Sequence, residues 1–211
     1  MNFIKNYFRV AWRNLIKNKG TSLINIGGLA VGMAVAMQIG LWIYDELSFD
    51  KNFEHYKRIA KVIQNVTNNG EVQTWNSVPY PLAEELRKNY GSDFKHVVLE
   101  ASWGDHILSH DDKKLSKQGA YFEKGAPEMF SLHMLHGRRE LNDPSLVLIS
   151  ESAAKAFFGN DNPLNKVLKI DNQFTVKVSG VYEDFPRNST FNDLSFMSAW
   201  DLIYNLSLIH I

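Results

Sequence analysis

The first apolar and polar pattern lies within residues 1–20, where basic side chains recur at every fourth position. Apolar side chains fall on the adjoining face of a helix. The basic positions are Lys5, Arg9, Arg13 and Lys17, and the apolar positions are Phe8, Trp12, Leu15 and Ile16. This spacing predicts a basic amphipathic helix lying along the anionic cytoplasmic surface of a lipid bilayer. An ordinary basic flank of a membrane segment would explain the charges but not the aromatic periodicity.

The second pattern is an uncharged apolar run over residues 21–44. A helix of that length reaches roughly 36 Å, enough to cross a hydrocarbon core of about 30 Å. Ala34–Ala36 offers a signal-peptidase pattern, but the apolar character continues beyond it, where a signal peptide should turn polar. Trp42 and Tyr44 are placed as interfacial aromatic anchors. The run is therefore predicted to be a retained transmembrane helix.

The charge distribution predicts how this helix is oriented. The basic residues before it have no acidic counterpart, and Asp45, Glu46 and Asp50 follow it directly. Since positive flanks stay inside, we expect a cytoplasmic N-terminus in a bacterial cytoplasmic membrane and an extracytoplasmic domain from residue 45 onward.

Small residues recur at every fourth position of the predicted membrane helix, at Gly28, Gly32, Ala36 and Gly40. Such a stripe forms a shallow groove in which another helix can approach closely, although glycine and alanine are common in membrane helices generally. No second apolar run of adequate length follows. We therefore expect the partner helices to lie outside this chain, which would then be incomplete.

Residues 45–211 alternate between strand-like and helix-like patterns, which predicts an α+β fold. The helices are predicted at Pro81–Tyr90 and from Ser150, as N-cap, to a stop at Gly159. The predicted strands are Lys57–Val66, Val72–Trp75, Val97–Trp103, Leu146–Ile149, Val167–Ile170 and Phe174–Val181. Turns are expected at residues 68–70, 110–113 and 171–172. A change of pattern near residue 118 suggests two subdomains.

Composition excludes several classes of function. The chain has no cysteine, which excludes disulfides and thiolate chemistry, and its net charge is zero. No basic patch with interleaved aromatic residues occurs in the large domain, so a nucleic-acid partner is not expected. No G-x-x-x-x-G-K-[ST] phosphate-binding loop is present either, so this chain does not bind nucleotide phosphate by that route.

Few residues suggest catalysis or metal binding. Ser152 and Lys155 match S-x-x-K but lack the companion motifs of penicillin-binding enzymes. The pairs His106/His110 and His133/His136 have suitable spacing on a helix, but they fall in predicted strands or turns without a third ligand. We therefore expect no catalytic, cofactor-binding or metal-binding residue and no enzymatic activity.

Two longer motifs resemble one family, the MacB/FtsX-like ABC transporter permeases. The first is an E-x-S-[FY]-D…F…A-x-R-I-Y-R-V segment after the membrane helix. The second is a D-P-x-x-V-[VL]-[SL]-E…A-x-x-[YF]-F-G…D-P-[IL]-G-K-x-[IL] segment that continues into G-V…D-x-P-x-N-S. The first is matched by Glu46, Ser48, Phe49, Asp50, Phe53, Arg58, Ile59 and Val62, and the second by Asp143, Pro144, Val147, Ser150, Glu151, Ala153, Phe157, Phe158, Gly159, Pro163, Leu164, Lys166, Leu168, Gly180, Val181, Asp184, Pro186, Asn188 and Ser189. His55, Tyr56, Ala60, Lys61 and Asn165 depart from the pattern.

The resemblance implies a mechanical role in export or mechanotransmission. Permeases of this family form dimers, pair with an ABC ATPase, and move their outer domains when the ATPase hydrolyses ATP. They carry three further membrane helices after the outer domain, so the resemblance implies that this chain is a truncated fragment with a MacB-like periplasmic core domain. The tail from residue 205 to residue 211 matches nothing expected there.

Two other classes remain open at this point. The chain could be a single-pass, membrane-anchored sensor or ligand-binding protein, against which the small-residue stripe and the family motifs count. It could also be an anchored hydrolase that uses Ser152 and Lys155, for which the motif evidence is weak.

Overall fold

The structure is a computed structural model that describes residues 3–207. The chain divides into two compact units, with the division between Phe49 and Asp50. Each unit is described by itself. The questioned tail lies mostly outside the described residues, since residues 208–211 are not among them.

The first unit consists of two helices, α1 (Phe3–Lys17) and α2 (Lys19–Ser48), separated at Asn18. Within the described residues, α2 is the one helix long and apolar enough to cross a membrane. It contains no buried residue. The helix continues four residues beyond the predicted end at Tyr44. Asp45–Ser48 are helical, and Phe49 has an extended backbone.

The second unit mixes strands and helices, and the predicted α+β class is confirmed. Its strands are β1 (Gln64–Asn68), β2 (Glu71–Trp75), β3 (Glu100–His110), β4 (Lys113–Phe122), β5 (Met134–Gly137), β6 (Leu146–Ser150), β7 (Val167–Ile170), β8 (Phe174–Tyr182) and β9 (Phe196–Ala199). Its helices are α3 (Pro81–Tyr90), α4 (Ala126–Met129), α5 (Glu151–Phe158) and α6 (Asp201–Ser207). A 3₁₀ turn covers Tyr56–Arg58.

Seven of the strands in residues 50–207 form one sheet in the order β5-β8-β6-β9-β4-β3-β7. Strand β7 also pairs with β8, so the sheet closes on itself. The β4–β9 and β6–β8 pairs are parallel, and the other pairs are antiparallel. Closure removes most of the unpaired strand edges that would otherwise be open to other chains.

Adjacent residues of the central strands enter two different cores. In β6, Val147 and Ile149 pack in a core with α5, whereas Leu148 packs in a second core with Phe53 and Tyr182. Both faces of the sheet are therefore covered. This is why these strands read as continuous apolar runs rather than as an alternation of apolar and polar residues.

Helix α5 forms as its sequence predicts. The Ser150 hydroxyl accepts a hydrogen bond from the Ala153 amide (3.3 Å), which caps the N-terminus. Gly159 ends the helix at φ 63°. The Lys113 ammonium donates to the carbonyl of Phe157 (3.0 Å), so a cation also satisfies the C-terminal end, as the helix dipole favours.

The predicted tight turns are also present. Asn69 and Gly70 both have positive φ between β1 and β2, and Asp171 and Asn172 do between β7 and β8. Two consecutive positive φ values match the twist of flanking strands, which is why Asn, Asp and Gly occupy these turns. The β1–β2 hairpin forms a separate two-stranded sheet.

The predicted strand at Lys57–Val66 is wrong over its first half. Phe53, Tyr56 and Ile59 all pack in the second core, and a spacing of three residues suits a tight helical turn rather than alternation. The strand begins only at Gln64.

Two other expectations require comment. The strand predicted at Val97–Trp103 begins later, at Glu100, because the Leu99 amide is held by the Glu123 carboxylate (2.8 Å) instead of by a neighbouring strand. The position near residue 118 suggested as a subdomain boundary falls inside β4, which pairs with β3 on both sides of that position.

Strand β4 provides a test of how tightly the closed sheet is packed. A Cβ atom at Gly119 would overlap the fully buried ring of Phe196, whereas one at Gly104, directly opposite on β3, would meet nothing within 4 Å. We expect Gly119→Ala to lower the free energy of unfolding by about 1–3 kcal/mol through overpacking. Gly104→Ala, the matched control, should cause no loss. Urea unfolding of the whole chain in detergent, followed by near-ultraviolet circular dichroism, measures both; equal losses would contradict this account.

Candidate functional site

The candidate site begins two residues after the end of α2, at Asp50. This residue has φ 57°, a left-handed conformation that aspartate tolerates better than most residues. Its amide donates to the Asn188 carbonyl (2.8 Å). Its Oδ1 accepts from the Thr190 amide (2.7 Å) and the Ser189 hydroxyl (3.1 Å), and its Oδ2 accepts from the Thr190 hydroxyl (2.5 Å). We refer to Asp50, Ser189 and Thr190 as the clamp.

The segment that supplies the donors to Asp50, residues 186–191, is held by hydrogen bonds of its own. The Ser189 amide donates to the Pro186 carbonyl (3.1 Å), and the Phe191 amide donates to the Ser189 hydroxyl (3.3 Å). Ser189 is buried. Hydrogen bonds to an ionised carboxylate are roughly twice as strong as neutral ones, so these three donors together hold one point of the chain firmly.

The clamp lies beside a group of packed rings, the aromatic cluster, formed by Phe53, Phe130, Phe185 and Phe191. Phe53 is buried, and its ring centroid lies 5.5 Å from Phe130, 5.8 Å from Phe185 and 5.8 Å from Phe191. Phe191 directly follows clamp residue Thr190, and Phe53 is three residues after Asp50. The hydrogen bonds of the clamp therefore lie next to the second core.

Tyr182 closes the same core from β8. Its phenol donates to the Leu194 carbonyl (2.8 Å) and its ring lies 5.7 Å from Phe185. Burial, and then the nearby Asp184 carboxylate, raise the pKa of Tyr182 well above its ordinary value. The phenol therefore remains a hydrogen-bond donor at physiological pH.

The clamp is suited to mechanical attachment rather than to chemistry. Both carboxylate oxygens of Asp50 are occupied by donors from the protein itself, which leaves it poorly placed to act as a base or a metal ligand. The arrangement fixes Asp50, the first residue of the second unit, to the interior of that same unit.

The structure places the other predicted residues on the two N-terminal helices. The basic side chains Lys5, Arg9, Arg13 and Lys17 are exposed on α1. The small residues Gly28, Gly32, Ala36 and Gly40 are exposed on α2, and a Cβ atom at any of the three glycines would meet nothing within 4 Å. Their roles as membrane-contacting and helix-packing residues stay predictions.

The catalytic alternative at Ser152 has a structural explanation. The Ser152 hydroxyl donates to the Asp184 carboxylate (2.9 Å), and its amide faces the same oxygen (3.2 Å). A carboxylate at the first turn of α5 stabilises the helix dipole. The hydroxyl is thus engaged in holding β8's extension to the helix, and it faces a carboxylate rather than Lys155.

The structure separates the first of the two histidine pairs and gives His133 of the second pair a carboxylate neighbour. His106 and His110 both lie on β3, where four residues span about 13 Å, too far for one metal ion. His133 Nδ1 lies 2.9 Å from Glu183 Oε2, and His136 lies on β5. Within residues 3–207, no group of three or more potential ligands is positioned for a metal.

Sequence reasoning identified Asp50 and Ser189 only as matches to two separate motifs. It did not identify their contact, nor the parts played by Thr190 and Phe191. The contact joins positions 140 residues apart, and a single sequence carries no signal for such a pairing. The left-handed backbone at Asp50 could not be predicted from the sequence either.

Comparisons with known proteins identify one family and several solved structures that resemble this chain. The profile of the MacB-like periplasmic core domain matches residues 22–209. The periplasmic region of MacB from Actinobacillus actinomycetemcomitans is 22% identical, with a TM-score of 0.52, over 74% of this chain and 72% of that one. No curated protein matches significantly.

Two further solved structures resemble the chain. A domain of a candidate permease from Porphyromonas gingivalis is 22% identical, with a TM-score of 0.51, over 64% of this chain. This chain covers 56% of that domain's length. The extracellular domain of the ABC-type transporter YknZ from Gram-positive bacteria is 19% identical, with a TM-score of 0.47, over 58% of this chain and 63% of that one.

At such identities the structural likeness shows the fold, while the family profile spans nearly the whole chain. The resemblance found in the sequence motifs is thereby confirmed. Because the match runs from residue 22 to residue 209, this chain belongs to the MacB-like periplasmic core domain family.

Proposed function

We propose that this chain is the membrane helix and extracytoplasmic domain of an ABC transporter permease of the MacB/FtsX type. In this role it converts ATP hydrolysis by a separate ATPase subunit into movement of the outer domain, for export or mechanotransmission. The observation that carries the proposal is the match of the MacB-like periplasmic core domain profile to residues 22–209. The clamp supports it, because it fixes the first residue of the second unit to that unit's own core.

The partners and the location belong to the same proposal. Helix α1 lies on the cytoplasmic surface of the bilayer through Lys5, Arg9, Arg13 and Lys17, near the junction with the ATPase. The stripe Gly28, Gly32, Ala36 and Gly40 on α2 receives another membrane helix. A second permease copy completes the dimer. The exposure of both sets of residues supports these roles.

The absence of cysteine from the sequence permits a clean test of orientation. We expect Gln73→Cys, on the exposed strand β2, to react with a membrane-impermeant maleimide in intact spheroplasts. Asn6→Cys, on exposed α1, should react only after the membrane is opened. The basic flank remains on the cytoplasmic side, which is the physical reason for this asymmetry.

A charge-reversal variant sharpens this test. Replacing Lys5, Arg9, Arg13 and Lys17 by Glu removes the positive flank, so Asn6→Cys should become labelled in intact spheroplasts or the membrane yield should fall. The matched control exchanges Lys5 and Lys17 for Arg, and Arg9 and Arg13 for Lys. It keeps the positive charge and should change neither the labelling nor the membrane yield. An unchanged labelling pattern in the reversed variant would show that these charges do not determine orientation.

The clamp predicts a specific loss of stability. Asp50→Ala removes three hydrogen bonds to a carboxylate and should lower the free energy of unfolding of the domain by about 2–3 kcal/mol. Hydrogen exchange should accelerate at residues 188–191. In the permease assembled with its ATPase, ATP turnover should persist while the displacement between the two copies' outer domains, measured from spin labels at position 73, becomes smaller.

Asp111→Ala is the matched control, because Asp111 also has a left-handed backbone (φ 49°) but its side chain is 87% exposed. Its carboxylate lies 3.5 Å from His110 Nε2, and because exposed pairs of this kind contribute little, the variant reports mainly the backbone cost of alanine. If Asp50→Ala and Asp111→Ala are equally destabilising, or if displacement is unchanged in Asp50→Ala, the clamp does not transmit movement.

A further inference from the structure

His106 occupies an enclosed position on β3, with 13% of its side chain exposed. Its Nδ1 lies 2.6 Å from Asp171 Oδ2, and its Nε2 lies 2.9 Å from the Ser102 carbonyl oxygen. The ring also makes edge contacts with Tyr121 and Phe196, whose centroids are 5.6 Å and 5.5 Å away. Both ring nitrogens are thus at hydrogen-bonding distance from oxygen atoms.

These two oxygen atoms are acceptors. A carbonyl cannot donate, and the Asp171 carboxylate already accepts the Ile107 amide on its other oxygen (2.8 Å). A neutral imidazole carries a hydrogen on only one nitrogen. Both short contacts are therefore satisfied together only when His106 is an imidazolium ion.

Lys117, Asp171 and Tyr121 are titratable groups placed next to His106. Lys117 is the cross-strand neighbour of His106 on β4, and Asp171 faces it from the β7–β8 turn. Tyr121 presents its ring edgewise, and burial, with Asp171 as a smaller cause, raises the pKa of its phenol above the ordinary value, so it stays neutral. The charge of His106 is therefore balanced chiefly by Asp171.

The Ser102 carbonyl belongs to a distorted part of β3. Ser102 has φ 55°, and the pairing of β3 with β4 shifts between Ala101 and Gly104. Such bulges re-aim side chains at the edge of a sheet. Here the bulge carries Trp103, whose ring lies 5.4 Å from Phe191 of the aromatic cluster.

We propose that His106, Asp171 and the Ser102 carbonyl form a proton-dependent latch that holds the bulge of β3 against the aromatic cluster. When His106 loses a proton, the charge-assisted bond from Nδ1 to Asp171 is the stronger of the two and is retained. Nε2 then presents a lone pair to the Ser102 carbonyl, and that bond is lost. The bulge and Trp103 are released. The role as a sensor of external pH rests on the proposed extracytoplasmic location, but the latch itself does not.

The sign of the effect follows from the bonds. The bond from Nε2 to the Ser102 carbonyl exists only while both ring nitrogens carry a hydrogen, so the latch stabilises the domain at low pH and is lost as the pH rises. Histidine imidazoles change charge between about pH 5 and pH 8.

The variant Asp171→Asn tests the latch without removing a contact. An asparagine can accept the Ile107 amide on its oxygen and donate from its nitrogen to Nδ1 of a neutral His106, which leaves Nε2–H free to bind the Ser102 carbonyl. Asparagine also tolerates the left-handed backbone of this turn (φ 53°). The variant should therefore fold and keep the bulge closed at high pH.

We expect the melting temperature of the whole chain in detergent to fall by about 3–6 °C between pH 5.5 and pH 8, and this fall to disappear in Asp171→Asn. Long-range proton–nitrogen correlation spectra should show both ring nitrogens of His106 protonated at pH 5.5 in the original chain only. Trp103 fluorescence, isolated by replacing the other tryptophans with Phe, should change over the same pH range.

His110→Gln is the matched control. His110 lies on the same strand, and its Nδ1 lies 2.7 Å from the Val167 carbonyl oxygen. Its Nε2 lies 3.5 Å from the Asp111 carboxylate, but that side chain is 87% exposed, so water can replace this contact. The pH dependence should survive this change. A His106 ring that is neutral at pH 5.5, or a fall in melting temperature that is the same in Asp171→Asn, would overturn the latch. Reversed labelling of Gln73→Cys would overturn only the proposed location.

Discussion

The carboxylate of Asp50 determines how the polypeptide enters the second unit, and much of the surrounding structure depends on it. The chain leaves α2, turns through a left-handed residue, and is held by donors that come 140 residues later in the sequence. Phe53 then packs against Phe130 in the aromatic cluster. The start of the unit and its last loops are thereby fixed to the same core. Without Asp50, the backbone amide and hydroxyl of Thr190 would lose their acceptor, and the entering chain its anchor.

The closed sheet connects this anchor to the rest of the second unit. Strand β8 pairs with β5, β6 and β7, and the ring of strands has apolar side chains on both faces. Close-packed protein interiors transmit strain instead of absorbing it. Under the proposed function, a displacement applied at Asp50 would move the domain as a body. The β1–β2 hairpin lies outside this ring and has its own two-stranded sheet, so it does not share that constraint.

The elements that could be predicted from the sequence are those specified by neighbouring residues. Ser150 and Gly159 delimit α5 because a cap and a left-handed stop act within one turn of helix. The 171–172 turn was predictable for the same reason. The 3₁₀ turn at Tyr56–Arg58 was not, because its three-residue spacing is explained only by rings from distant segments. The clamp and the His106–Asp171 contact were also beyond reach, since they join residues 140 and 65 positions apart.

The clamp and the latch meet at one side chain. Thr190, which binds Asp50, immediately precedes Phe191, and Phe191 also contacts Trp103 on the bulge that His106 holds. A bulge that moves changes the packing of Phe191 against Phe53 and Phe130. Close-packed cores respond to such changes by switching between discrete arrangements more readily than by gradual deformation. Protonation of His106 would then alter how firmly the aromatic cluster supports the clamp. Under the proposed location and function, external pH and movement of the domain would act on the same few rings, and each would bias the effect of the other.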